Sequence, residues 1–232
     1  MLKRLADSIP GKASMVAVGL NWTLVEGPDG IGLAHSPVKG TSGCYHLKGA
    51  GQQRGKPLAE LAASIHSENP FDRAVALASI NAHFNRSDQE GAVDNGLDLF
   101  TNNDCLNTVA IGRFPSIEIR FPSVKVIEKN PSQNDYPISK AAQLLKTASQ
   151  VIISASVLSS REIIDYLNAA SNAKVMLIGP STPMTPDLFE NGISILAGFI
   201  VTKPSHAIDV VIQGGSISQL RECGRNICLH QA

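Results

Sequence analysis

The chain has no surplus of charge: Lys and Arg total 20, Asp and Glu total 20, and the formal net charge is zero. Such a balance lays down no electrostatic footprint for a phosphate backbone or an anionic bilayer, so neither nucleic acid nor membrane is an expected partner. Long hydrophobic runs are missing too. The first apolar stretch, Met15 to Leu20, is interrupted too early for a secretory h-region. Later ones fall well short of the ~18 residues that a membrane span requires. A soluble, cytoplasmic protein is the reading. Cysteine is scarce: Cys44, Cys105, Cys223 and Cys228 form no CxxC pair and no zinc-finger spacing. Scattered reduced thiols are the expectation. Three signatures are also absent, and each absence removes a class. Without GxGxxG there is no dinucleotide fingerprint, and without GxxxxGK[ST] no P-loop. Without GxSxG there is no nucleophile elbow, and no histidine falls at a strand end of the second half to serve a hydrolytic triad.

What remains is an ordinary globular composition. Of 232 residues, 43% are hydrophobic and 17% charged, enough for one large domain or two small ones. The first third reads as α+β. Ser14 to Glu26 is a β-branched, apolar run, Gly27 to Gly30 a turn, and IGLAHSP a returning strand of a hairpin. Lys39 to Pro57 follows with five glycines and four basic side chains, a long loop with little to bury. Leu58, Leu61, Ala62 and Ile65 recur at helical spacing. The next helix opens on Asn69 as N-cap, Pro70 at its first position and Asp72 in its first turn, and its many alanines suit close packing.

Residues 85–106 are polar and aperiodic and form the boundary, giving a smaller α+β domain over 1–103 and a second domain over 104–232. In the second domain five short Val/Ile-rich runs alternate with amphipathic segments: NTVAIGRF, VKVIEKN, SQVIISASV, KVMLIGP and ISILAGFIV. Runs buried on both faces with helices between them argue for a parallel-rich sheet and a Rossmann-like α/β fold. The tail, RECGRNICLHQA, reads as packing or disorder.

Open α/β sheets bind ligands beyond the carboxyl ends of their strands. The first end is Ile111-Gly112-Arg113-Phe114-Pro115 and the second carries Glu128, placed where ribose-binding carboxylates occur, although a surface Glu is an equal reading. The third end, Ser154-Ala155-Ser156, is small enough for a ligand to approach, or simply makes a tight turn. The fourth is GPSTPMTP, with Gly179, Pro180, Ser181, Thr182, Pro183 and Met184 leading to Thr185 as N-cap and Pro186. Its prolines fix φ, its hydroxyls are polar, and a loop that keeps its shape loses little entropy on binding. Cys44 and His46, with His35 upstream and His66 and His83 on the helices, read either as metal ligands or as incidental residues around a flexible loop.

These segments resemble a family. GPSTPMTPDLFENGISILAGFIV is similar to a "GPSTPL-P-L---G---LAG" pattern of a prokaryotic domain of unknown function labelled for heavy-metal chelation. Ile111 to Pro115 match its "VGYFP"-like segment, and Val126, Glu128 and Pro131 its "V-E--P" segment. Gly19 to Thr23 and Gly30 to Ala34 match "G-NWT-V----G-GLA", and Ile80 to Asn85 an "LNA---N"-like helix, so the likeness spans residues 10–215. The resemblance implies a first domain like the amino-terminal domain of enolases, a Rossmann-like second domain, a site in the cleft between them, and a homodimer. Ser154 to Ser160 departs from the pattern, standing where members carry Thr-Gly followed by an Asn-x-Thr-like element.

The functional expectation is a protein that binds a small ligand or a metal chelate. Its site combines Asn21, Trp22 and Thr23 with Gly112, Phe114, Glu128, Ser154 and the Gly179–Met184 loop. Trp22, the single tryptophan, offers a stacking surface or packs the hairpin. No motif identifies a cofactor; the family label points to a transition metal or metal chelate. The alternatives are an enzyme acting on a nucleotide-like substrate, with the glycine-rich loop as lid, and an assembly subunit without chemistry of its own.

Overall fold

The computed structural model describes residues 1–7, 9–37, 46–92, 95–100, 107–160 and 162–231. Cys44, Cys105, the start of the glycine-rich loop and the expected boundary at 103/104 lie outside the described residues. The chain opens with α1 (Leu2–Ala6), then β1 (Met15–Val18), β2 (Trp22–Glu26) and β3 (Ile31–His35). Next come α2 (Leu58–Ala62) and α3 (Pro70–Phe84). The second half runs β4 (Thr108–Ile111), α4 (Ile117–Arg120), β5 (Lys125–Glu128), β6 (Tyr136–Pro137), α5 (Ala141–Lys146), β7 (Gln150–Ser154) and α6 (Ile163–Ala169). It ends with β8 (Lys174–Ile178), β9 (Ile195–Val201), α7 (Pro204–Ile212), α8 (Ile217–Leu220) and β10 (Gly224–His230). Among the described residues no helix is long and apolar enough to cross a membrane.

The stretch expected as one strand, Ser14 to Glu26, is a hairpin of two. Gly19 donates to the Trp22 carbonyl at 2.9 Å and closes the turn. The turn's Asn21 side chain donates to the Gly214 carbonyl at 2.9 Å, so the break in the strand is held from outside it. β1, β2 and β3 pair antiparallel into a small sheet. Its side chains divide by the period of two that a pleated strand imposes. Trp22, Leu24, Ile31 and Leu33 pack with Ala207, Val210 and Val211 of α7, while Val25 and Ala34 join the core around α3.

α3 is the molecule's central post. Asn69 accepts from the Phe71 amide at 3.0 Å, Pro70 occupies the first turn, and every residue from Ala74 to Ala82 is buried. Its alanines let it press on β3. A Cβ added at Gly32 would lie 1.9 Å from the Ala78 carbonyl oxygen, so only glycine admits this approach.

The larger sheet has seven strands in the order β10-β9-β8-β7-β4-β5-β6. β6-β5-β4-β7-β8-β9 are parallel, and β10 adds an antiparallel edge. All five expected runs are strands. Neighbouring residues again take opposite faces: Val109, Ile111, Val151 and Ile153 turn to one core, and Ala110, Ile152 and Met176 to another with Phe100, Ile117 and Phe121. The chain moves outward from β4 to β5 and β6, then returns to lay β7 on the other side of β4. The switch point of this sheet therefore lies between β4 and β7.

Of the two expectations for the C-terminal tail, packing or disorder, packing holds, in the form of a strand. Gly224–His230 pairs with β9 residue for residue, and the Cys228 amide also donates to the Ala92 carbonyl at 2.9 Å. The tail's cysteines, Cys223 and Cys228, are in no disulfide and are both buried.

Candidate functional site

Two cavities open at the carboxyl ends of the parallel strands, one on each face of the sheet. The first, about 440 Å³, is bounded by Trp22 and His35 of the small sheet, Gly112, Glu128 and Ser154 at strand ends, Gly179–Ser181, and Glu162 and Tyr166 beside and on α6. The second, about 500 Å³, is bounded by Asn21, Asn95, Phe114, Ile178, Arg221 and Asn226, among others. They share Trp22, His35, Arg113, Ser154, Gly179 and Pro180. Both volumes suit a small organic molecule.

The saddle between the cavities sits at the switch point. Gly112 has φ +91°, and a Cβ there would come within 2.7 Å of the Ser154 Cβ. Glycine at the end of β4 therefore keeps the strand ends close enough for a shared wall. The Ser154 and Ser156 hydroxyls lie 2.9 Å apart and hydrogen-bond to each other.

Glu128 ends β5 at the wall of the first cavity. One carboxylate oxygen accepts from the Arg113 amide at 2.6 Å and the other from the Lys129 amide at 3.2 Å. Two backbone donors thus fix its orientation, while its charge meets no Lys or Arg in an ion pair among the described residues. Of the two cations lining this cavity, the Arg113 guanidinium pairs with Glu118 and Asp135, and Lys129 is in no ion pair among the described residues. Burial raises the Tyr166 phenol above its ordinary pKa, helped by Glu162 and Asp165, so the hydroxyl stays protonated and able to donate.

The GPSTPMTP loop divides into two parts. Gly179, Pro180 and Ser181 reach the cavities. Beyond them the polar groups turn inward to α3 and β3. The Ser181 hydroxyl accepts from the His35 amide at 3.0 Å, and its carbonyl accepts from the Asn81 side chain at 3.0 Å. The Thr182 carbonyl accepts from the Asn85 side chain at 2.9 Å, and the Met184 amide donates back to it at 2.9 Å. Thr185 caps the following turn by accepting from the Asp187 amide. Thr182, Pro183 and Met184 are buried away from the walls of both cavities.

The other expected residues distribute similarly. Trp22 lines both cavities, Asn21 and Phe114 only the second, and Gly112 and Glu128 only the first. Thr23 is buried behind them, its hydroxyl bonded to that of Ser36 at 3.0 Å. Arg113, Ser156, Glu162, Tyr166 and Arg221 were not foreseen as site residues. α6 and α8 bring Tyr166 and Arg221 near, which no local motif announces.

The donor set does not fit a bare ion: among the described residues, no three His, Cys, Asp or Glu side chains converge as a metal-holding group. His83, weighed as a ligand, instead has its Nδ1 2.7 Å from the Asp29 carboxylate.

Two solved structures resemble the whole chain. One, from Desulfitobacterium hafniense, is 21% identical with a TM-score of 0.88, covering 99% of this chain and 97% of its own. The other, from Pyrococcus horikoshii, is also 21% identical with a TM-score of 0.82, covering 99% and 96%. Both are described as proteins of unknown function from the DUF364 family, and at this identity the likeness speaks to fold. None of the curated proteins is similar enough to match. A family profile, DUF4213, described as "Putative heavy-metal chelation", matches residues 4–84. A second profile with the same description matches residues 95–229, more than half of the chain, and by that match the chain belongs to the DUF364 family.

Proposed function

We propose that the chain binds a small ligand or a metal chelate in the first cavity, between a smaller α+β domain (1–103) and a Rossmann-like domain (104–232). The observation that carries this reading is Glu128, a carboxylate held by two backbone amides at the cavity wall with its charge unmatched. It is ready to accept from ligand hydroxyl or ammonium groups, or to supply one oxygen to a cation. Because the described side chains form no metal-holding cluster, a metal would arrive with donors of its own. The family description, "Putative heavy-metal chelation", supports a metal-linked ligand. Cytoplasmic location and a homodimer belong to the same reading.

A second reading, an enzyme acting on a nucleotide-like substrate, is favoured by one feature. Glu128 ends the strand adjacent to the one that ends in Gly112, where Rossmann sheets hold a ribose.

Thermal unfolding of the purified chain separates the two. With ferric citrate or nickel–histidine, the chelate should stabilise the protein more than either component, by about 2–3 kcal/mol at a hundredfold excess over Kd. Glu128→Gln should remove most of that gain. Stabilisation by adenine nucleotides alone would favour the second reading, and no response to either would sink both.

A further inference from the structure

The second cavity differs from the first in charge. Glu128, Lys129 and Glu162 line the first alone and His35 and Arg113 line both, whereas the second adds Arg221 and has no carboxylate among its described lining residues. The charge of Arg113 is matched by Glu118 and Asp135. The Arg221 guanidinium has no ion pair or hydrogen bond among the described residues. A second donor is also unsatisfied. The Trp22 ring lines this cavity and is 7% exposed, and its indole N–H has no acceptor. A buried donor left unpaired is costly, and an acceptor that arrives with a ligand removes the cost. Apolar side chains, among them Phe114, Ile178 and Ile217, complete the wall.

We propose that this cavity is a second binding site, for an organic anion: a carboxylate or phosphate ester carrying a flat apolar body. Its anionic end pairs with Arg221, whose planar fork suits both groups, and its body lies against the apolar wall, with an acceptor atom for the Trp22 N–H. The first cavity sets Glu128 and Glu162 beside Lys129 and so holds the same molecule less well, while the two cavities share the wall at the β4–β7 switch point. The assignment does not depend on what occupies the first cavity.

Titration calorimetry of the full chain tests it, with emission of the single tryptophan as a second readout of binding and the Arg221 and Glu128 variants below as the reporters of place. The probes are phenylacetate, phenyl phosphate, the neutral phenylacetamide and inorganic phosphate. At least one aromatic anion should bind saturably, change Trp22 emission, and bind about tenfold or more tighter than the amide and inorganic phosphate. Which anion prevails identifies the headgroup as carboxylate or phosphate. Arg221→Gln, a change at an exposed side chain, should weaken binding about tenfold, and Glu128→Gln should leave it intact. Equal binding of the amide or of inorganic phosphate, indifference to Arg221→Gln, or absence of saturable heat overturns the proposal. If Glu128→Gln alone abolishes binding, the anion belongs to the first cavity, and this proposal fails while the reading of that cavity stands.

Discussion

Asn85 carries more of the cross-molecule hydrogen bonding than any motif suggests. Its amide donates to the Thr182 carbonyl, accepts from the Met184 amide and approaches the Phe199 carbonyl at 3.4 Å, all from a buried position. Asn85→Ala leaves a carbonyl and an N–H buried without partners, and should cost about 2–4 kcal/mol in urea unfolding. A loss under about 1 kcal/mol would mean that the loop holds itself. This position also marks the limit of reading at single residues. Asn85 reads as the end of an alanine-rich helix, and nothing in the sequence nearby says that its partners lie about a hundred residues away. Glu128 and Gly112 were legible because strand ends in parallel sheets are where sites form. Thr182 and Met184 were plausible on the same ground, yet their polar groups are spent on α3 and β9, because buried backbone must be paired somewhere.

Among the elements, the turn that follows β4 is latched to the loop before β6. Arg113 pairs with Asp135, which also accepts from the Ser132 hydroxyl at 2.6 Å and the Ser132 amide at 2.9 Å. Burial works against ionisation of Asp135, but the Ser132 donors and then the Arg113 guanidinium outweigh it and hold the carboxyl below its ordinary pKa. A depressed folded-state pKa stabilises above the ordinary carboxylate value, and this contribution fades as pH falls through the lowered one. Asp135→Asn should therefore be less stable than wild type at neutral pH and converge with it in acid. Urea midpoints between about pH 2 and 6 would show this, and parallel curves would argue against the latch. Five of the six parallel strands were legible because burial on both faces leaves unbroken Val/Ile runs; the two-residue, exposed β6 was not. β10 was not: exposed and buried residues alternate irregularly in GRNICLH, and its pairing with β9 is a tertiary event. The hairpin was read one strand short for a similar reason. Its turn is set by carbonyls after α7, not by a local turn signal.

At the scale of the molecule, the small sheet is clasped between α3 on one face and α7 of the second half on the other. The segment after α3 then runs beside β10, where Arg225 donates to the Gln89 carbonyl at 2.6 Å. Such interleaving predicts one cooperative unfolding transition. Trp22 fluorescence reports the small sheet and far-ultraviolet circular dichroism reports all the helices and strands, so their denaturation curves should coincide. Separate midpoints would mean that the halves are independent units. The α/β class was visible in the Val/Ile-rich runs after residue 107; the clasp was not, since it joins segments nearly two hundred residues apart.

The pinned loop has a bearing on how this molecule can acquire new ligands. Gly179–Thr185 is a keystone: replacing it to reshape a cavity loosens the joint as well. The facing wall, Ser154 to Ser160, is bonded mainly within itself. Its hydroxyls form the side where recognition can be rewritten while the architecture stays standing.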